Sequence, residues 1–143
     1  MTGSVFVDTN VLIYARDSKQ GPKRDKAREW LSLLASSRRL VLNLQVINEL
    51  TRWILRNEPK RALEDTQTEV TALHAYGHAP LDEADVARAW DVRRALGYQW
   101  FDCLLIASAS SQCRYFLSED MGHMARFEKL TIIDPFRIAP NEL

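Results

Sequence analysis

Four acidic residues stand at the edges of apolar runs. Asp8 follows Val5-Phe6-Val7 directly, Glu49 adjoins Leu50, Asp102 precedes Leu104-Leu105-Ile106, and Asp120 comes shortly after Tyr115-Phe116-Leu117. Taken singly, each has a plain explanation. Asp8 and Asp102 read equally as helix N-caps, where a carboxylate accepts from free backbone N–H groups and gains from the helix dipole. Asp120, with Glu119 beside it, reads equally as a solvated loop acid. Together they ask for more, because separate segments each deliver a carboxylate to an apolar boundary and like charges gathered there repel unless a cation holds them. Oxygen donors without a supporting His or Cys suit a hard ion, Mg²⁺ or Mn²⁺, with water completing the coordination. Such an ion lowers the pKa of a bound water and neutralises charge growing on a phosphodiester, so phosphodiester hydrolysis is the chemistry implied.

The elements that must carry these acids can be read from periodicity. Ser4 to Val7 is apolar and β-branched with no alternation, the pattern of a strand buried on both faces of a parallel sheet. Val11, Leu12 and Ala15 then recur at helical spacing, so strand turns to helix around Asp8-Thr9-Asn10. After the polar segment Ser18 to Pro22, the residues Ala27, Trp30, Leu31 and Leu34 mark a second helix, and Leu40-Val41-Leu42 a second strand. Val46, Ile47, Leu50, Trp53 and Ile54 form an amphipathic stripe, with Glu49 roughly 100° from its centre, at the rim of the packed face. Residues 61 to 75 and 82 to 96 read as two further helices around a Gly77-His78-Ala79-Pro80 break with room for a short strand. Gly97 suits the C-cap of the second. Phe101 to Cys113 is apolar on most sides, as a central helix would be. Tyr115 to Leu117 and Leu130 to Ile133 are strand candidates, the latter closed by Pro135. Alternating strands and helices predict an α/β sandwich with a mainly parallel sheet, whose ligands bind at the carboxyl ends of the strands.

Composition bounds the partners. A chain of 143 residues fits one domain, and nineteen Lys plus Arg against nineteen Asp plus Glu excludes a uniformly basic nucleic-acid binder. Phosphate contacts must therefore be concentrated locally. Arg52 and Arg56, on the same predicted helix as Glu49, are the candidates. The sequence shows neither a membrane-length apolar run nor a leader pattern, so a soluble cytoplasmic protein is expected. Cys103 and Cys113 lack the company of a disulfide framework or zinc site and read as buried thiols, ten residues apart on different faces of one helix. His74, His78 and His123 read as ordinary core or surface histidines, and Trp30 and Trp53 as core or interface residues.

The motifs around the acids resemble those of PIN domains, and among these the VapC-type toxins of toxin–antitoxin pairs. The resemblance rests on Val5-Phe6-Val7-Asp8-Thr9-Asn10-Val11-Leu12-Ile13-Tyr14-Ala15, Gln45-Val46-Ile47-Asn48-Glu49-Leu50, Trp100-Phe101-Asp102-Cys103-Leu104-Leu105-Ile106-Ala107 and Phe116-Leu117-Ser118-Glu119-Asp120-Met121, in the family's order and across nearly the whole chain. It implies a PIN-like three-layer α/β/α sandwich over residues 1–143. Asp8, Glu49 and Asp102 are then the principal metal-binding acids and Asp120 the more variable fourth, chosen over its neighbour Glu119 because family members usually carry an aspartate at that place; Glu119 is left as a candidate outer-shell residue. Asn10 and Ser118 match small polar positions that orient the acids, although a helix start and a turn explain them equally well. The implied activity is Mg²⁺- or Mn²⁺-dependent RNA cleavage leaving a 5′-phosphate, in a homodimer inhibited by a cognate antitoxin.

Two other enzymes begin with strand then Asp. A haloacid-dehalogenase-type phosphatase needs a second acid where Asn10 stands, and a receiver-type phosphoacceptor needs a lysine after a late strand, whereas none follows Leu117 before Lys129. The remaining alternative is a non-catalytic PIN-like module for protein association or RNA binding.

Overall fold

The short apolar runs assemble into one sheet and the amphipathic segments cover it. The computed structural model describes residues 3–143. Strand β1 (Val5–Val7) leads into α1 (Thr9–Arg16), a 3-10 turn at Ser18–Gln20, α2 (Pro22–Ser36) and β2 (Leu40–Val41). Four helices follow in succession: α3 (Leu44–Asn57), α4 (Leu63–Ala72), α5 (Glu83–Leu96) and α6 (Trp100–Ser110). The chain closes with β3 (Tyr115–Leu117), β4 (Arg126–Phe127) and β5 (Leu130–Ile133).

The strand order is β2-β1-β3-β5-β4. Strands β2, β1, β3 and β5 run parallel, and β4 pairs antiparallel with β5 at the edge. Every residue of β1 and β5 is buried, which requires cover on both faces of the sheet. Helices α1 to α4 pack among themselves and α5 packs on α6, completing a three-layer α/β/α sandwich. Phe6 and Phe116 stack across β1 and β3 with ring centroids 5.3 Å apart. Trp30 is fully buried, and its indole N–H donates to the Pro135 carbonyl at 2.9 Å. Among the described residues no helix is long and apolar enough to cross a membrane.

Several local expectations are corrected. The segment Ser18 to Pro22 is not a plain linker: it holds a 3-10 turn at Ser18–Gln20, the N-cap Gly21 and the first residue of α2, where Pro22 fits because its missing N–H would have no partner in the first helical turn. The helix over 61 to 75 divides into α4 and a 3-10 turn at Leu73–Tyr76. The Gly77 to Pro80 break forms no strand; Leu42 N–H donates to Tyr76 O just before it and Leu44 N–H to Ala79 O within it, both at 3.0 Å, as two isolated bonds. Gly77 is required there, since its φ is 125° and a Cβ would lie 2.3 Å from the Leu42 carbonyl oxygen. Cys113 lies beyond α6, so the two buried, free cysteines do not share a helix. Strand β4 is two residues long, too short for its pattern to register in the sequence.

Candidate active site

The path of the sheet creates the site. From β1 the chain passes to β2 on one side and later returns to β3 on the other, so the carboxyl ends of β1 and β3 flank a topological switch point. Asp8 and Ser118 are the first residues past those ends. The Asp8 N–H extends the ladder to Leu117 O and the Ser118 N–H to Ile133 O, each at 3.0 Å. Asp8 is the N-cap of α1, with Oδ1 accepting from the Thr9 N–H at 2.8 Å and Oδ2 from the Ser118 hydroxyl at 2.8 Å. The Asn10 amide donates to Asp120 Oδ2 at 3.0 Å and to Ser118 Oγ at 3.2 Å. One side-chain amide thus ties the loop after β3 to the start of α1.

Glu49 arrives from α3. That helix starts at Asn43, whose buried side chain accepts from the Val46 N–H at 3.0 Å and donates to Ser108 Oγ on α6 at 3.3 Å. The cap therefore also sets the spacing between the helices that carry Glu49 and Asp102. Both Glu49 oxygens are held: Thr9 Oγ1 donates to Oε2 at 2.7 Å and Gln45 Nε2 to Oε1 at 2.8 Å. Asp102 is not a cap, because α6 begins at Trp100 behind Gln99 and places it in the first helical turn.

Burial pushes the Asp8 carboxyl up to about 7; the Ser118 hydroxyl and Thr9 N–H oppose this, and the charges of Asp102 and Glu49 add to it. Asp102 is likewise raised, first by burial and then by Asp120 and Glu49. Asp8 and Asp102 thus both feel the charges of neighbouring acids. Glu119 faces elsewhere. Burial opposes its ionisation, but Lys23 and Tyr14 outweigh that and hold it below the usual glutamate range. Hydrogen bonding to Glu119 is the main influence pushing the Tyr14 phenol up to about 12. The Lys23 ammonium also lies 5.2 Å from the ring centroids of both Tyr14 and Phe136.

Asp8, Glu49, Asp102 and Asp120 line a single open cleft of about 740 Å³, together with Asn10, Arg52, Arg56 and Phe101. Ser118 is fully buried and supports the cleft from beneath through Asp8 and Asn10. Thr9, Gln45 and Asn43 escaped the sequence reading. Gln45 and Glu49 have the i, i+4 spacing of a helical pair, which is a usable signal, whereas Thr9 meets Glu49 only through folding. Trp53, expected in the core or at an interface, is partly buried and lines this cleft.

By donor chemistry the cleft fits a hard divalent cation: its candidate ligands are oxygens, with an Asp102 carboxylate that has no hydrogen-bond donor among the described residues and a buried Asn10 amide Oδ1 with no partner among them. Among the described residues no three of these side chains stand close enough to share one ion as they are. Mutually repelling carboxylates are expected to rest apart.

The model of the PIN domain family matches residues 5–129. The chain belongs to the PIN domain family. No curated protein sequence matches it. Among solved structures, this PIN domain is similar to a toxin–antitoxin complex from Klebsiella pneumoniae, with 16% identity and a TM-score of 0.67 over 92% of this chain and 98% of that one. It is also similar to VapBC2 from Rickettsia felis bound to a promoter DNA fragment, with 15% identity and a TM-score of 0.60 over 90% and 96%. A third is VapC20 of Mycobacterium tuberculosis, a sarcin-ricin loop cleaving toxin, with 14% identity and a TM-score of 0.55 over 79% and 87%. At these identities the likeness is one of fold.

Proposed function

We propose that this PIN domain is a metal-dependent endoribonuclease acting as the toxin of a VapC-type toxin–antitoxin pair. The observation that carries the reading is the convergence of Asp8, Glu49, Asp102 and Asp120 on one cleft at the carboxyl ends of β1 and β3, in a chain of this family. The structural similarity to a toxin–antitoxin complex, to VapBC2 and to an RNA-cleaving VapC supports the biological role. A protein antitoxin and a second copy of the chain are the partners proposed with it.

Asp8, Glu49, Asp102 and Asp120 would hold Mg²⁺ or Mn²⁺, which when bound supplies an activated water and neutralises charge on the phosphodiester. The remaining work belongs to the chain. Ser118 and the Thr9 N–H orient Asp8, Thr9 and Gln45 fix both oxygens of Glu49, and Asn10 keeps Asp120 turned into the cleft. Such partners preserve the geometry through which carboxylates act. Arg52 and Arg56, exposed on the α3 wall of the cleft, would bind phosphates of the RNA backbone. In the reaction the water oxygen bonds to phosphorus, the P–O3′ bond breaks, and the products carry a 3′-hydroxyl and a 5′-phosphate.

The test is to sequence RNA ends after brief induction in cells, beside Asp8→Asn as control. New 5′-phosphate ends at defined sites, absent with Asp8→Asn, are expected. Identical end profiles for the two proteins would remove the nuclease reading and leave the non-catalytic module.

A further inference from the structure

Phe101 is out of place by polarity. It is 65% exposed although it lines a cleft whose other walls are mostly carboxylates, amides and guanidinium groups. It precedes Asp102 in the first turn of α6, where neighbouring residues project roughly 100° apart. Its ring therefore stands at the cleft mouth beside the acids. Nothing in α6 requires an aromatic residue there, since the buried face of the helix begins at Cys103. Phosphates have no use for a phenyl ring, but a base does: an exposed aromatic face beside a cationic wall is the pairing by which proteins track single-stranded nucleic acid.

We propose that Phe101 is a base-stacking platform that receives one nucleobase next to the scissile phosphate, while Arg52 and Arg56, on α3 in the same cleft, hold the backbone. The inference rests on the ribonuclease reading and sharpens its substrate: an unpaired stretch of RNA, since a base can reach the ring only when it leaves a duplex stack. Stacking accepts every base face, so Phe101 contributes to affinity and to single-strand selectivity with little base preference. Trp90, also exposed and tilted against Trp100 with ring centroids 4.5 Å apart, lies outside the cleft lining and has no part in it.

The experiment measures cleavage of an end-labelled single-stranded RNA with Mn²⁺, using an intact oligonucleotide and a set with one abasic nucleotide placed successively around the cut. Wild type, Phe101→Ala, Phe101→Trp and Trp90→Ala are compared. Wild type and Trp90→Ala are expected to lose about tenfold or more in kcat/KM at one abasic position. Phe101→Ala is expected to start about tenfold lower and to be indifferent to that position, with Phe101→Trp restoring both properties. If wild type cleaves and Phe101→Ala keeps the same abasic profile, the platform is refuted while the nuclease stands. If no cleavage occurs in wild type, the nuclease reading itself fails. Light scattering closes the remaining route: a Phe101→Ala protein that loses a dimer but keeps abasic discrimination assigns the ring to an interface between copies and overturns the proposal.

Discussion

Asp8 is maintained at a cost that its replacement should reveal. Its carboxyl ionises near 7 in the folded chain against 3.8 ordinarily, chiefly because it is buried. Between those values the folded protein holds a proton that the unfolded chain has lost. Stability therefore falls as pH rises through this window, and the cost is absent below about pH 4 and complete above about pH 7. A difference of about three pH units at about 1.4 kcal/mol each gives a ceiling of about 4 kcal/mol. Asp8→Asn removes the charge and keeps the shape. Its oxygen still accepts the Thr9 N–H, and its NH₂ meets a Ser118 hydroxyl that can turn to accept. Allowing about 1 kcal/mol for that rearrangement, the variant should be more stable than wild type by about 2–3 kcal/mol at pH 8 in EDTA. That is roughly 5–10 °C in Tm, shrinking towards zero near pH 4. Urea and thermal melts from pH 4 to 8 in EDTA measure it. A variant that is less stable at pH 8, or one with the same pH slope as wild type, would refute the reasoning.

Four further outcomes follow from the same geometry. Thr9→Val frees one oxygen of Glu49 and should lower kcat/KM by about tenfold or more with little change in the far-UV circular dichroism; unchanged kinetics would remove Thr9 from the positioning of Glu49. Because metal binding must displace the Asp8 proton, the apparent Mg²⁺ affinity by calorimetry should fall by up to about tenfold per pH unit below 7, and a flat profile would contradict it. Arg52→Ala and Arg56→Ala should each raise KM and flatten its log–log salt dependence by about 0.7 for every phosphate no longer neutralised; an unaltered slope argues that the side chain does not meet phosphate. Asn43→Ala removes the α3 cap and its tie to Ser108 and should cost about 2 kcal/mol in urea unfolding, while a change within about 0.5 kcal/mol would show that the cap is dispensable.

What was readable in the sequence was whatever depends on local pattern. Buried parallel strands announce themselves as apolar runs, and the α3 stripe located Glu49 at the edge of the packed face, where it is half-buried. The position of Asp8 at the carboxyl end of a strand followed from strand-then-helix order, whereas the switch point beside it depends on which strands pair with β1. Contacts between segments were not readable. The choice between Glu119 and Asp120 depends on Lys23 and Tyr14 drawing one acid away and Asn10 holding the other, over separations of about a hundred residues. Asp102 read as a cap because the sequence does not reveal that α6 starts two residues earlier, at Trp100, behind a Gln99 that supplies no side-chain bond. Phe101 read as the start of a buried helix, and only the packing of α6 shows that its ring points out into the cleft lining.

The central claim is that the four acids hold a metal that cleaves RNA, and the most direct measurement is the cleavage rate of an end-labelled RNA by the purified protein. Wild type should cleave with Mg²⁺ or Mn²⁺ and stop with EDTA, and Asp8→Asn and Asp102→Asn should each lose about a thousandfold or more while remaining folded. Cleavage undiminished by EDTA, or full activity in Asp8→Asn, would contradict the account.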